Sequence, residues 1–356
     1  MPAVSWFFCS KLIMGFDHTL QRILQNLRIS DGERSNYTED AVEIQNYVIE
    51  KLKSADSSFR EAFDGLSLAG SYLDRVKLKT PDEFDLHMKL KLPFPIIPKK
   101  DEKGFVFLCA NNYKHPILAN NYVDRKNLQA WLRDAFNEVF TSNLRLRCST
   151  GEVYEVRYTA KGYGCAHTIE AEGRSRTIWF DLVPAFEFTW AQWPLDVPPI
   201  STEVRSKWPW FAVPQSKRGS WDERTFIVCA PHWERETTRN LNNFKNVLRL
   251  MKGLRDAHES DLPHLSSYML KTVLLHQLGR VDWNENLHTL FVKMWSCLVN
   301  HLKFGNLDFF LANGNNIFDR MQHGELEKCR VAAVRLMSNL NQAETQIWML
   351  DRIFKV

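Results

Sequence analysis

The sequence predicts an α+β chain of two lobes, on three observations. Helical periodicity opens the chain, alternating strands that carry carboxylates occupy its middle, and helical periodicity returns over the last third. The expected division is residues 1–220, a mixed β-sheet lobe with N-terminal helices, and residues 221–356, a helical lobe, with a cleft between the two. A length of 356 residues exceeds what one hydrophobic core usually serves, which suits such a split.

Leu20, Ile23, Leu24 and Leu27 recur at helical spacing, and Ile44, Val48 and Leu52 do so again. Thr38, followed by Glu39 and Asp40, reads as the N-cap of the second helix, which ends in the basic stretch EKLKS. In FDLHMKLKL the alternation is strict. Leu86, Met88, Leu90 and Leu92 face one way, and Asp85, His87, Lys89 and Lys91 the other. EVYEVRYTA and RTIWFDLVPAFEF read as two further strands joined through a turn at Gly162 and Gly164. Residues 193–220 hold five prolines and several aromatics without period, and read as a connection or lid. From about residue 221 the patterns are helical: NNFKNVLRLMKGLRD, SSYMLKTVLLHQL and NLHTLFVKMWSCLVNHL. No internal repeat or low-complexity tract is evident.

Composition narrows the class. Apolar and charged fractions of 44% and 25% are those of folded globular chains, not disordered ones. A net charge of +4 argues for a polyanionic partner only if the cations cluster. Seven cysteines form no CxxC pair, and are expected as reduced thiols of an intracellular protein. The opening MPAVSWFFCSKLIMGF lacks the basic start and cleavage site of a signal peptide. No stretch reaches the roughly 18 uninterrupted apolar residues of a membrane span. A cytoplasmic chain with no membrane partner is expected.

The chemistry lies in GSYLDRVKLKTPDEFDLHMKL, residues 70–90. Residues two apart on a strand share a face, so Glu83 and Asp85 project together, away from the apolar side. In RTIWFDLVP, Asp181 interrupts an otherwise apolar run, a costly place for an unpaired acid. If Asp181 joins the other two, three like charges crowd one spot and call for a cation between them. An oxygen-only donor set without His or Cys favours Mg²⁺ or Mn²⁺ over zinc. Two such ions serve phosphoryl or nucleotidyl transfer. Gly70 permits close backbone approach, and Ser71 offers a hydroxyl to triphosphate oxygens. Taken singly, ExD on a strand and a Gly-Ser turn are common by chance. Their order along the chain is what carries the reading.

These segments resemble the active-site region of the cyclic GMP-AMP synthase and Mab-21 family of nucleotidyltransferases. WFDLVPAFEF is similar to the family's third-carboxylate strand, and LMKGL with LSSYMLKT to its C-terminal lobe. Within the family the chain looks most like the insect double-stranded-RNA-sensing receptors. The resemblance implies a bilobal nucleotidyltransferase fold in which residues 1–220 form the catalytic lobe. Glu83, Asp85 and Asp181 would hold two metal ions, and Gly70 and Ser71 the donor triphosphate. Lys252 would reach nucleotide phosphates, and Tyr268, beside Ser267, would stack on a base. The implied activity is synthesis of cyclic GMP-AMP from ATP and GTP in innate immune signalling, switched on by double-stranded RNA, with dimerisation on RNA left open. A non-catalytic scaffold and a linear or RNA-tailing transferase are the alternatives.

Two departures qualify the resemblance. The vertebrate DNA-sensing member carries a zinc site of one His and three Cys before its LMK segment. Here His232 has no cysteine between it and Lys252, so zinc is not expected. Ile227 stands near the place where that enzyme has an Arg, which leaves the linkage formed open. For the activator, Arg235 with Arg239 and Lys245 with Arg249 fall at helical i, i+4 spacing. With Arg22 and Arg28 on the first helix and Lys51 and Lys53 ending the second, they are the expected phosphate contacts to RNA, set against interleaved Glu234 and Glu236.

Overall fold

The computed structural model describes residues 3–78, 82–159 and 165–355. The expected turn at Gly162 and Gly164 lies outside them. The α+β class holds. By packing, the chain divides into two units. One comprises Met1–Arg28, Arg75–Lys79 and Thr238–Val356, the other Ile29–Asp74 and Thr80–Thr237.

The second unit is built on a sheet. Its helices are α2 (Asp31–Ala55), α3 (Ser57–Ala62), α4 (Gly70–Leu73), α5 (Arg125–Val139), α6 (Thr202–Lys207) and α7 (Pro231–Thr238), the last closing the unit. Its strands are β1 (Phe63–Leu68), β2 (Glu83–Leu90), β3 (Ile97–Lys100), β4 (Phe105–Cys109), β5 (Leu118–Ala119), β6 (Tyr122–Val123), β7 (Leu144–Arg147), β8 (Val153–Thr159), β9 (His167–Glu172), β10 (Thr177–Phe188), β11 (Trp210–Pro214) and β12 (Thr225–Cys229). The main order is β5-β6-β4-β12-β11-β10-β9-β8-β7, with β2 and β1 added beside β10 and β3 beside β4. β2 runs parallel to β10, whereas β10 pairs antiparallel with β9 and β11, so the sheet is mixed. β10 is the spine of the fold. Its alternate residues Ile178, Phe180 and Leu182 are buried, which turns Trp179, Asp181 and Val183 to the other face.

Several local expectations are corrected. The second helix begins at Asp31, capped by Ser30 in a reciprocal box with Glu33, and Thr38 lies inside it with its hydroxyl on the Arg34 carbonyl at 2.6 Å. β9 intervenes between the two strands expected to be joined by one turn. Residues 193–220 contain α6 and β11, and β12 follows at 225, where helix was expected to begin. Both strands are largely apolar and buried in the sheet, so neither shows a period of two, and β11 lies between Pro209 and its own last residue, Pro214. The polar side of β2 is also covered beyond Asp85. His87 is buried against Phe211 at 4.7 Å with Cys229 Sγ 3.8 Å away.

α2 is tied to the sheet by a buried ion cluster. Asp40, fully buried, accepts from Tyr154 Oη at 2.6 Å and Thr150 Oγ1 at 2.6 Å, and pairs with Arg176 at the entrance to β10. Both carboxylate oxygens are partnered, which is what makes a charge tolerable there.

The other unit is helical: α1 (Ala3–Leu27), α8 (Phe244–Ala257), α9 (Ser267–Leu275), α10 (Leu287–Phe304), α11 (His323–Ala343) and α12 (Met349–Phe354). Phe16, Leu20, Ile23, Leu24 and Leu27 are buried along one face of α1. Gly253 in α8 has no room for a side chain, because an added Cβ would lie 2.6 Å from Leu27 Cδ1. Among the described residues, Cys109, Cys148, Cys165, Cys229, Cys297 and Cys329 form no disulfide. Among the described residues no helix is long and apolar enough to cross a membrane.

Candidate active site

The register of two parallel strands assembles the site. Trp179 pairs with Glu83 and Asp181 with Asp85, so Asp181 and the two acids of β2 share one face. The Trp179 amide donates to the Asp82 carbonyl at 2.6 Å and closes the ladder at the end where the acids sit. One carboxylate oxygen from each of Glu83, Asp85 and Asp181 lies within 4.8 Å of the others. Glu83 is exposed, and Asp85 and Asp181 are half-buried.

The loop before β2 presses against these acids. The Ala69 amide donates to the Asp85 carbonyl at 2.9 Å, and Gly70 follows with φ +60°. A Cβ built on Gly70 would overlap Asp85 Oδ2 and sit 2.6 Å from its Cγ. The close approach therefore requires glycine twice over, by conformation and by space. Ser71, half-buried, sits in the first turn of α4.

The donor set fits a hard divalent cation. It is made only of carboxylate oxygens, it is open to solvent at Glu83, and like charges so close favour a cation among them. Glu83, Asp85 and Asp181 are the residues that would hold it.

Comparison with known proteins follows the same outline. Residues 72–233 match the Mab-21 protein nucleotidyltransferase domain, and residues 243–335 the Mab-21 protein HhH/H2TH-like domain. A "Cyclic GMP-AMP synthase-like protein" of Drosophila melanogaster is 56% identical over 326 residues, covering 91% of this chain and 93% of the relative. A "Cyclic GMP-AMP synthase-like receptor" of Drosophila eugracilis is 36% identical, covering 86% and 85%, and one of Aethina tumida is 28% identical, covering 91% and 87%. The chain belongs to the cyclic GMP-AMP synthase-like family of Mab-21 nucleotidyltransferases.

Of the other residues singled out in the sequence of this cyclic GMP-AMP synthase-like chain, Lys252, Ser267 and Tyr268 belong to the helical unit, and His232 and Ile227 to the sheet unit. Lys252 on α8 is buried, and its Nζ donates to the Val76 carbonyl at 2.9 Å. Arg249, one turn earlier, donates to the Arg75 carbonyl at 2.7 Å. Ser267 Oγ accepts from Arg255 Nη1 at 3.2 Å, and the half-buried Tyr268 ring lies 6.2 Å from that of Phe309. His232 stacks on Trp208 at 4.9 Å and meets Ser67 Oγ at 3.3 Å. Burial and then Arg235 hold its imidazole below the ordinary pKa. Ile227 is buried in β12.

The cations expected at RNA divide between the units. Lys51, exposed, Lys53, paired with Glu50 at 2.9 Å, and Arg235, 3.9 Å from Glu236, belong to the sheet unit. Arg22, paired with Asp351, Arg28, Arg239, Lys245 and Arg249 belong to the helical unit. Lys245 and Arg249 share α8 as expected. Arg235 and Arg239 do not share a helix, because α7 ends at Thr238.

Two residues of the site escape sequence reasoning. Thr168 on β9 stands across from Asp181 and donates to its Oδ1 at 2.6 Å. Tyr72, next to Ser71, is buried with its ring 4.4 Å from Phe84, the residue between the two acids of β2. Tyr72 adjoining a Gly-Ser turn was the available signal for the second; only strand register reveals the first.

Proposed function

We propose that this chain is a double-stranded-RNA-activated nucleotidyltransferase that joins ATP and GTP into cyclic GMP-AMP for immune signalling in the cytoplasm. The observation that carries the reading is Asp181 in register with Asp85 on parallel neighbours, Glu83 on the same face, and Gly70 packed onto Asp85. Mg²⁺ or Mn²⁺ bound by the three carboxylates would neutralise triphosphate charge and acidify an attacking hydroxyl.

The chain's own groups do the rest. The Ser71 hydroxyl and neighbouring backbone N–H groups hold triphosphate oxygens. Asp181 accepts the proton of the acceptor ribose hydroxyl as that oxygen bonds to the α-phosphorus and pyrophosphate leaves. A second transfer with the nucleotides' roles exchanged closes the ring. Lys252 serves a phosphate by exchanging the Val76 carbonyl for it, and Tyr268, with Ser267 beside it, supplies a face for a base. Arg22, Lys51, Lys53, Arg235, Arg239 and Lys245 contact RNA phosphates, a mode that is salt-sensitive and indifferent to sequence. The names of the insect relatives, synthase-like receptors, support a ligand-triggered enzyme.

The test is incubation with labelled ATP and GTP and Mg²⁺, with no nucleic acid, double-stranded RNA or double-stranded DNA. A phosphatase-resistant dinucleotide formed only with RNA is expected. Equal synthesis without nucleic acid would remove the trigger from the proposal. Extension of the RNA itself would make this a tailing enzyme, and intact RNA binding without any product would make it a scaffold.

A further inference from the structure

We infer that Thr168 is a positioning residue for the third metal-binding carboxylate; the inference rests on the metal-dependent reading above. Thr168 and Asp181 are direct cross-strand partners of β9 and β10, so their side chains leave the sheet on the same face. The Thr168 hydroxyl donates to Asp181 Oδ1 at 2.6 Å. Thr168 is 9% exposed, between the buried residues His167 and Ile169, so its backbone is fixed on both sides. The β-branched side chain has few rotamers, which fixes the hydroxyl as well.

A carboxylate on one single-bond stem can rotate its two oxygens. Asp181 lies in a row of polar positions across the sheet, Thr159, Thr168, Asp181 and Asp85, in successive register. Within that row Thr168 is the partner that donates to it, and the bond leaves Oδ2 for a cation shared with Asp85. Hydrogen bonds of this kind to a ligating carboxylate orient it and hold its rotamer before the cation arrives. Thr168 touches neither nucleotide nor ion in this role. It acts through Asp181.

The test uses the full chain and Mn²⁺ as the probe, with bound ion followed by electron paramagnetic resonance in the presence of a non-hydrolysable ATP analogue. Thr168→Val removes the hydroxyl and keeps the shape and strand preference. It is expected to weaken Mn²⁺ binding about tenfold, with Thr168→Ser restoring it. In turnover the variant is expected to need more Mg²⁺ and to recover at saturating Mg²⁺, a shift that a merely structural residue would not produce. Thr168→Ala, compared at equal melting temperature, covers the case of a poorly folded Val variant. Wild-type Mn²⁺ affinity in Thr168→Val, while Asp181→Asn loses the ion, overturns the role of Thr168 and leaves the metal site standing. Retained Mn²⁺ binding in Asp181→Asn overturns the metal site itself, and the inference with it.

Discussion

Asp181 stands directly opposite Asp85 on a neighbouring parallel strand, with Glu83 two residues along the same face. Their oxygens come within 4.8 Å of one another. Between water-like and protein-like screening, two such charges repel by roughly 1 to 3 kcal/mol. The paired strands thus bring three carboxylates close enough to share one cation.

Replacing any one acid by its amide separates the two consequences of that arrangement. Asp85→Asn and Asp181→Asn should each lower product formation by about a hundredfold or more, since several kcal/mol of charge stabilisation in the transition state is lost. The same variants should melt close to the wild-type temperature in chelator, because each amide keeps the shape of the acid it replaces. Product assays beside metal-free thermal melts check both halves. A marked fall in melting temperature would mean that the acids serve packing.

Gly70→Ala should be damaging where substitution of an unhindered glycine is not. The added methyl would collide with the Asp85 carboxylate, and φ +60° strains any side chain. Activity should be lost together with stability. Gly32→Ala, in the first turn of α2 with nothing within 4 Å of its Cβ, should instead stabilise by about 0.5 to 1 kcal/mol. Urea melts of the two variants make the comparison.

Much of this site was legible from short-range pattern. The pleat alone puts Glu83 and Asp85 on one face, and the buried run around Asp181 marks it as an acid with a purpose. Ser30 and Glu33 also spell a capping box, a stronger start signal than Thr38. What failed was long-range or masked by composition. β11 and β12 are buried on both sides and so lack alternation, and prolines disguise the first. The pairing of Thr168 with Asp181 depends on which strand lies beside β10, and no local pattern encodes that. Likewise α7 ends at Thr238, one residue before Arg239, and the spacing of Arg235 and Arg239 alone does not show that boundary.

His167 should make stability fall on the acid side. It is 2% exposed, stacked on Phe136 at 4.7 Å, with Nδ1 2.9 Å from Tyr158 Oη. Burial, helped by Arg133, lowers its pKa from 6.5 to about 4. The unfolded chain therefore takes up a proton at pH values where the folded one does not. The contribution is complete above pH 6.5 and is lost as pH falls toward 4, by about 3 kcal/mol in all. His167→Phe should flatten the loss in that window relative to wild type in urea melts at stepped pH. Parallel curves would show that the imidazole is not the group responsible.

Tyr72 links α2 to both halves of the site, and its two ends can be tested apart. The hydroxyl meets Thr38 Oγ1, Arg34 lies 5.4 Å over the ring, and the ring's other contact is Phe84 at 4.4 Å. Thr38 and Arg34 are one turn apart on α2, so a single helix face holds the residue that follows Ser71. Tyr72→Phe keeps the ring on Phe84 and should cost only about 1 kcal/mol of stability, the usual value of one hydrogen bond. Because the turn at Gly70 and Ser71 is then held from one side only, the KM for nucleotide should rise severalfold while Mn²⁺ affinity stays near wild type. Tyr72→Ala also removes the packing on Phe84 and should cost about 3 to 5 kcal/mol. Mn²⁺ affinity should then fall too, since Phe84 lies between Glu83 and Asp85. Nucleotide KM, Mn²⁺ affinity and melting temperature measured on both variants decide the matter. An unchanged KM in Tyr72→Phe would mean that α2 braces the fold without setting the nucleotide loop.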